Sequence, residues 1–448
     1  MAENWRLSQT FNEKKLEDLV DGDVLSACEF NETGDFLATG DRGGRVCIYE
    51  KIDGGKRPAA GSASKVKGAS GGPIRTGPPE YQLWTEFQSH EAEFDYLKSL
   101  EIEEKINCVR WCKRINNAFF LVTTNDKTIK LWRVQDGKIP EPAVANGYGA
   151  GRGLNIPSLR KGGQQDVIRA TPKRVFMNGH AYHINSISLN SDQENFLSAD
   201  DLRINLWNLG CHDTTFNIVD IKPTNMEELT EVITAAVCHP VHCNVFLWSN
   251  SKGSVKLADM RSAALCDKHC KVFEEDEDPT KRSFFSEIIS SVSDVKFCED
   301  GRYILSRDYM SLKLWDVNME ARPLRTINIH EQLRARLCDL YENDSIFDKF
   351  QCAFNGDGSS MVTGSYHNQF HIYHRNFKSD ICIEAAKNPQ KKAATKKPLL
   401  GRAKRDEVSV DQMDFDKKCL HVAWHPKQNC ISVAALNSLC IYQGPDTK

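Results

Sequence analysis

No apolar run in the 448-residue sequence approaches the ~18 residues needed to cross a bilayer as a helix. The first residues, MAENWRLSQTFNEKKLEDL, lack a basic stretch followed by an apolar core, so they do not read as a secretory leader. A cytoplasmic location, with access to the nucleus, is the expectation. Neither sign of charge is in surplus: 58 Lys and Arg face 61 Asp and Glu, for a net −3. That excludes a globally basic nucleic-acid binder, though not a local patch. A Walker-type glycine loop, a Gly-x-Ser-x-Gly elbow and a His-Glu-x-x-His pair are all missing, which removes the corresponding enzyme classes. Cysteine is not scarce. The sixteen are dispersed through a long chain rather than spaced as a framework, and several (Cys28, Cys47, Cys108, Cys298, Cys352, Cys440) sit in strand-like runs. There a reduced cysteine acts as a small hydrophobe, so free thiols are expected.

What is present is ordinary in bulk and unusual in order. Hydrophobic residues make up 40% and charged residues 27%, enough for a sizeable core in two or three domains or in one repeat array. One pattern recurs: an alternating strand, a polar hairpin, a second strand, a tight turn, and a third strand ending in an aromatic. It occupies residues 27–50, 107–134, 185–209, 234–261, 293–317, 350–375 and 420–443. Turns such as Glu-Thr-Gly-Asp and Asn-Gly-Asp-Gly place glycine where a hairpin needs positive φ. Between copies there is room for a fourth strand. A four-stranded sheet cannot bury both faces alone, but a radial stack can. The expectation is all-β: a seven-bladed WD-repeat β-propeller, single-domain over 1–448, with the N-terminal segment closing the ring beside the last blade. Leu131-Trp132, Leu206-Trp207 and Leu314-Trp315-Asp316 end third strands, Asp126, Asp201 and Asp308 precede them, and Asn-Gly-His180 opens a copy, all similar to WD repeats.

Segments that a minimal propeller does not need are candidates for function. Residues 51–80 are rich in Gly, Ser, Lys and Pro and read as a flexible loop. Residues 135–172 are either a protruding hairpin arm or a loop. Residues 386–406 form a basic low-complexity loop, read as solvated before it is read as a localisation element. Phe87–Lys105 is acidic and amphipathic, with Phe94, Leu97 and Leu100-Ile102 expected to make a short helix that either covers the ring edge or is displayed for docking.

Candidate chemistry is thin. Cys238-His239-Pro240-Val241-His242-Cys243 with Cys266 to Cys270 is the best metal set, but adjacent Cys238 and His239 point to opposite faces of a strand. His425-Pro426 repeats the dipeptide without cysteines, which makes it a hairpin habit; no metal and no cofactor is expected. Asp200-Asp201 lacks an accompanying nucleophile: one of the two caps a turn, the other is free to face a partner. Phe273 to Asp278 is an acidic loop by default. In Phe284-Phe285 two adjacent aromatics cannot both point inward if extended, so at least one is expected at the surface.

Longer strings go beyond the repeat. FQSHEAEFDYLKSLEIEEKIN, NDKTIKLW, SDQENFLSADDLRINLW, FNIVDIKPTNMEELTEVITAA, RSFFSEIISSVSDVKF and YENDSIFDKF resemble the B-type, fifty-five-kilodalton WD-repeat regulatory subunits of protein phosphatase 2A, from about Asp23 to Gln443. The chain departs from that family at the N-terminus, in 51–80 and in 135–172. The resemblance implies a non-catalytic subunit that docks on a HEAT-repeat scaffold beside the catalytic subunit and presents phosphorylated substrates with basic or amphipathic helical segments, without nucleic acid or membrane. It implies a groove on the top face in which Asp201 is an acidic contact and Glu227, Leu229 and Val232 form an adjoining patch. Phe284, Phe285 and Ile288 extend that patch, and Arg42 replaces a usual lysine. Glu342 and Lys349 fall near the opposite rim, and Phe94, Asp95, Tyr96 and Lys98 are candidates for partner docking. A generic WD-repeat scaffold of another complex remains the alternative.

Overall fold

The structure is a computed structural model and describes residues 5–12, 19–52, 80–96, 99–114, 118–140, 164–268, 270–275, 283–376, 380–386 and 414–445. Seven four-stranded antiparallel sheets follow one another along the chain. Blade 1 is Leu25–Phe30, Phe36–Asp41, Arg45–Ile52 and Glu80–Gln88, and blade 3 is Ser186–Leu189, Asn195–Ala199, Arg203–Asn208 and Cys211–Asp220. The inner strands of blades 2, 4, 5, 6 and 7 begin at Cys108, Ile233, Val292, Cys352 and Cys419. In blade 7 the outermost strand is not the next in sequence. It is Arg6–Phe11, paired with Ser438–Gln443 from Arg6↔Gln443 to Phe11↔Leu439. Both ends of the chain thus share one sheet, so the ring closes by main-chain hydrogen bonds rather than by contact alone.

Antiparallel order fixes what lies where. In each blade the first-to-second and third-to-fourth connections emerge on one face, and the second-to-third turns and blade-to-blade connections on the other. We call the latter the top face. Apolar clusters fill the spaces between blades: Trp248 and Phe246 of blade 4 pack with Leu197 and Ile204 of blade 3, and Trp315 of blade 5 packs with Leu247 and Phe273 of blade 4. Each blade is therefore stable only with its neighbours.

In the bottom-face turns His239 and His425 do the same work. Each Nδ1 accepts two backbone N–H groups, those of Val241 and His242 at 3.1 and 3.0 Å and those of Lys427 and Gln428 at 3.0 Å. Each ring also lies against a positive-φ glycine of the next blade, Gly301 and Gly34, where a Cβ would clash. The His-Pro dipeptide is a turn lock, and Cys238 is buried with its thiol on the Ser188 carbonyl.

The third and fourth strands of blade 2, Ile129–Pro140 and Gln164–Phe176, stay paired out to Pro140↔Gln164, with a bulge where Pro172 cannot donate. This is the stem of a hairpin arm; residues 141–163 lie outside the described residues. Among the described residues of Phe87–Lys105 the expected helix does not form. Glu93–Asp95 pairs antiparallel with Leu100–Ile102 instead. Phe94, Leu100 and Ile102 alternate with Glu93, Asp95 and Glu101 at period two, a strand pattern rather than a helical one.

Candidate top-face recognition site

The second-to-third turn of blade 3 sorts its two aspartates. Asp200 is fully buried and Oδ1 accepts the backbone N–H of Leu202 at 2.8 Å and of Arg203 at 2.7 Å. His180 Nδ1 donates to Asp200 Oδ2 at 2.9 Å, and its Nε2 meets Ser198 Oγ, which accepts from Trp207 Nε1 at 2.8 Å. Burial alone would raise the Asp200 carboxyl; these donors outweigh it and hold the group below the usual carboxylate range. The turn-capping aspartate is therefore Asp200. Asp201, named from sequence as the one preceding the strand, is the displayed residue. It is half-buried, and its carboxylate makes no hydrogen bond with the described residues.

The neighbours of Asp201 are fixed through the backbone. Ile233 N donates to Asp201 O at 2.7 Å and Ser251 N to Val232 O at 2.9 Å, which lays the 221–232 connection along the same edge. Asn225 caps the short turn Met226–Glu228 by accepting from Glu227 N, so Glu227 is exposed while Leu229 and Val232 are half-buried. Glu231 turns inward to Asn250 and to Lys256 Nζ at 2.9 Å, and belongs to the fold. Asp201 and the Glu227–Val232 patch are one surface.

Burial raises the Asp201 carboxyl and the Asp200 charge adds to it; the largest opposing influence is the Lys349 ammonium, followed by His183 and Lys127. Lys349 stands across the ring from blade 3, in the connection that leads into blade 6, and its charge still acts on Asp201. Its position comes from the 330–350 connection between blades 5 and 6, which folds over the top face. Tyr366 Oη bonds Tyr309 Oη at 2.9 Å, Ser345 O at 2.6 Å and Asp348 Oδ2 at 2.9 Å, and Lys418 Nζ pairs with Asp348. Beneath lie Leu333, Leu337, Leu340, Ile346 and Phe350.

On that base stands a cluster the sequence only half declared. Phe284 is 72% exposed while Phe285 and Ile288 pack downward, because residues 284–285 form a turn before the short helix Ser286–Ser290. Phe284 and Phe285 meet Tyr341 at ring separations of 5.9 and 6.0 Å, and Tyr341 meets Phe347 at 5.9 Å. Tyr341 and Phe347 were not singled out from sequence. The available signal was YENDSIF itself, aromatics flanked by polar residues where no strand is needed. Glu342 is exposed beside them. Arg42 is exposed at the blade 1 turn and paired with Asp21 at 2.6 Å. Phe94 and Tyr96, edge to face at 5.0 Å, project from the blade 1–2 connection on the same face with Asp95; Lys98 lies outside the described residues.

All sixteen cysteines are free thiols, and among the described residues no group of three or more His, Cys, Asp or Glu is placed to hold a metal. The fold defines a WD-repeat propeller whose top face gathers acidic, cationic and aromatic side chains from several blades. The WD domain, G-beta repeat family matches residues 170–208. A serine/threonine-protein phosphatase 2A regulatory subunit, phr2AB, of Dictyostelium discoideum is 50% identical over 99% of both chains. The 55 kDa regulatory subunit of protein phosphatase PP2A of Drosophila melanogaster is 53% identical over 95% of this chain and 84% of its own. Among solved structures, Raptor of Chaetomium thermophilum aligns with a TM-score of 0.54 at 11% identity, covering 99% of this chain and 30% of that one, a likeness of fold alone. The chain belongs to the family of 55 kDa regulatory subunits of protein phosphatase 2A, and is a regulatory rather than a catalytic component.

Proposed function

We propose that this chain is the substrate-recruiting subunit of a heterotrimeric protein phosphatase 2A. It binds the HEAT-repeat scaffold and the catalytic subunit, and it captures phosphoproteins through the top face. The observation that carries the reading is the Asp201 carboxylate, half-buried yet without a hydrogen-bond partner among the described residues, on the edge along which the connection bearing Leu229 and Val232 is laid. A carboxylate without an internal hydrogen bond next to an apolar strip suits a basic amphipathic segment: apolar contact supplies affinity, charge supplies orientation and on-rate. The Phe284–Tyr341–Phe347 cluster offers a second apolar landing. The Phe94–Tyr96 hairpin rises from the same face and is available to a neighbouring subunit.

The test is capture from cells with the tagged full chain. Asp201→Lys is expected to abolish phosphoprotein capture while scaffold and catalytic subunits still co-purify; Leu229→Ala is expected to weaken it by ~1–3 kcal/mol. Capture by Asp201→Lys equal to that of the parent chain removes the groove. Failure of both phosphatase subunits to co-purify under gentle conditions would return the chain to a generic scaffold role.

A further inference from the structure

The top face is not uniformly acidic. One arc of the central channel's mouth is built from cations, and hydrogen bonds between blades show how they come together. Gln351 N donates to Leu420 O at 2.9 Å, which sets Lys349 beside the start of blade 7's inner strand, where His421 follows. Leu25 N donates to Leu436 O at 2.9 Å, joining blade 7 to blade 1, and Arg42 N donates to Val24 O at 2.9 Å above that joint. Ile106 N donates to Asp41 O at 3.1 Å, which brings Lys105 against the Arg42 turn. Lys349, His421, Arg42 and Lys105 thus follow one another around the mouth, although they are spread over nearly the whole sequence.

Arg42 is paired with Asp21, but the rest of the arc is underpaired. Lys105 is half-buried, and neither it nor Lys349 makes a hydrogen bond or ion pair with a described residue. Burial pushes the Lys105 ammonium down, with Arg42 adding to it and Lys349 contributing, while Asp126 and Glu103 oppose. The Nδ1 of His421 is buried and has no hydrogen-bond partner among the described residues. Burial, then Lys105 and Arg42, pushes His421 down to about 3, so at neutral pH its ring is uncharged and has one N–H to donate. Two lysines without an ion pair, an arginine paired with the exposed Asp21 and a buried imidazole nitrogen left without a partner are together the complement of an anion.

We propose that Arg42, Lys105, His421 and Lys349 form an oxyanion-binding site, filled in the working complex by the phosphate or carboxylate side chain of a segment lying across the top face. The proposal rests on the substrate-recruiting reading and adds the second pole to it. Asp201 takes a basic side chain and the cationic arc an acidic one. Since Lys349 acts directly on Asp201, the poles are close enough to be spanned by one short segment. A bipolar site orients such a segment, because a reversed chain would put like charges together on both sides.

The test begins with the full chain and inorganic phosphate. Limited acylation read by peptide mass spectrometry compares phosphate with chloride at matched ionic strength. Anion binding raises the Lys105 pKa and covers its amine, so labelling of Lys105 is expected to fall as 1 + [L]/Kd, about threefold at twice the Kd. Labelling of Lys427, exposed in a bottom-face turn, stays unchanged, and Lys105→Met removes the phosphate protection of Lys349. Equal labelling of Lys105 in phosphate and chloride overturns the site. A basic amphipathic peptide carrying phosphoserine, glutamate or alanine at one position then separates the two sources. Lys349→Met is expected to weaken the phosphoserine peptide, the glutamate peptide or both, and to leave the alanine peptide as it was. Three peptides bound alike, all insensitive to Lys349→Met, refute the second pole while leaving recruitment standing. Phosphate protection with no peptide bound would refute recruitment and leave the oxyanion site.

Discussion

Blade 3 and the 330–350 connection use similar residues for opposite ends. In blade 3, His180, Ser198, Asp200 and Trp207 satisfy one another in a buried chain, and only Asp201 is left over. In the connection, Tyr366, Asp348 and Lys418 do the holding from below, and the aromatic and charged residues above them, Tyr341, Glu342, Phe347 and Lys349, face outward. The difference is where the internal partners run out. A polar or aromatic side chain that the fold has satisfied contributes stability; one that the fold holds in place but does not satisfy is available to a partner.

The widest break in that comparison comes from pH, which should reach the interior before the surface. His90, His330 and His425 are buried, and burial pushes them down, to about 3 for His90, well below the ordinary value for His330, and to about 4 for His425. Each is neutral when folded but takes a proton when unfolded below about 6.5. Stability is therefore fully present above about pH 6.5 and is lost as the pH falls toward the folded values, by about 1.4 kcal/mol per pH unit for each. Denaturant unfolding from pH 7.5 to 5 should show the decline, and a flat profile would mean these rings are solvated. Next is the contrast between adjacent residues. Asp200→Ala leaves His180 and two N–H groups without an acceptor and should cost ~2–4 kcal/mol in denaturant unfolding. Asp201→Ala should stay within about 0.5 kcal/mol and yet lose substrate capture. Equal destabilisation by the two would erase the division of labour. The smallest effect is expected for Phe347→Ala. Stability should be unchanged, because the ring is 53% exposed, with capture weakened by ~1 kcal/mol by the same pull-down.

Much of this was legible in the residues. Period-two patterning with glycine turns yields strands, and seven recurrences yield seven blades, because both are local signals. The loop strings supplied Asp201, Leu229 and Phe284 as candidates, and all three are top-face residues. Legibility failed where the decision was not local. Either aspartate of Asp200-Asp201 suits a turn; the His180 ring, brought from twenty residues away, chooses Asp200. The acidic stretch around Phe94 reads as a short helix, and only the register Glu93↔Ile102 makes it a pair of strands. That the Lys349 charge acts on Asp201 was not legible, because nothing in its own segment shows the fold-back that Tyr366 enforces.

The sequence by itself determined the strands, their number and the surplus of loop residues, since each follows from side-chain alternation and turn chemistry within a few dozen positions. Only the tertiary structure decided that Arg6–Phe11 completes the last blade. It alone decided that Asp200 is structural and Asp201 displayed, and that Arg42, Lys105, Lys349 and His421 share one mouth. The reason is geometric: a closed ring of blades brings the top-face turns of distant segments to a common axis, and distance along the chain carries no record of that convergence.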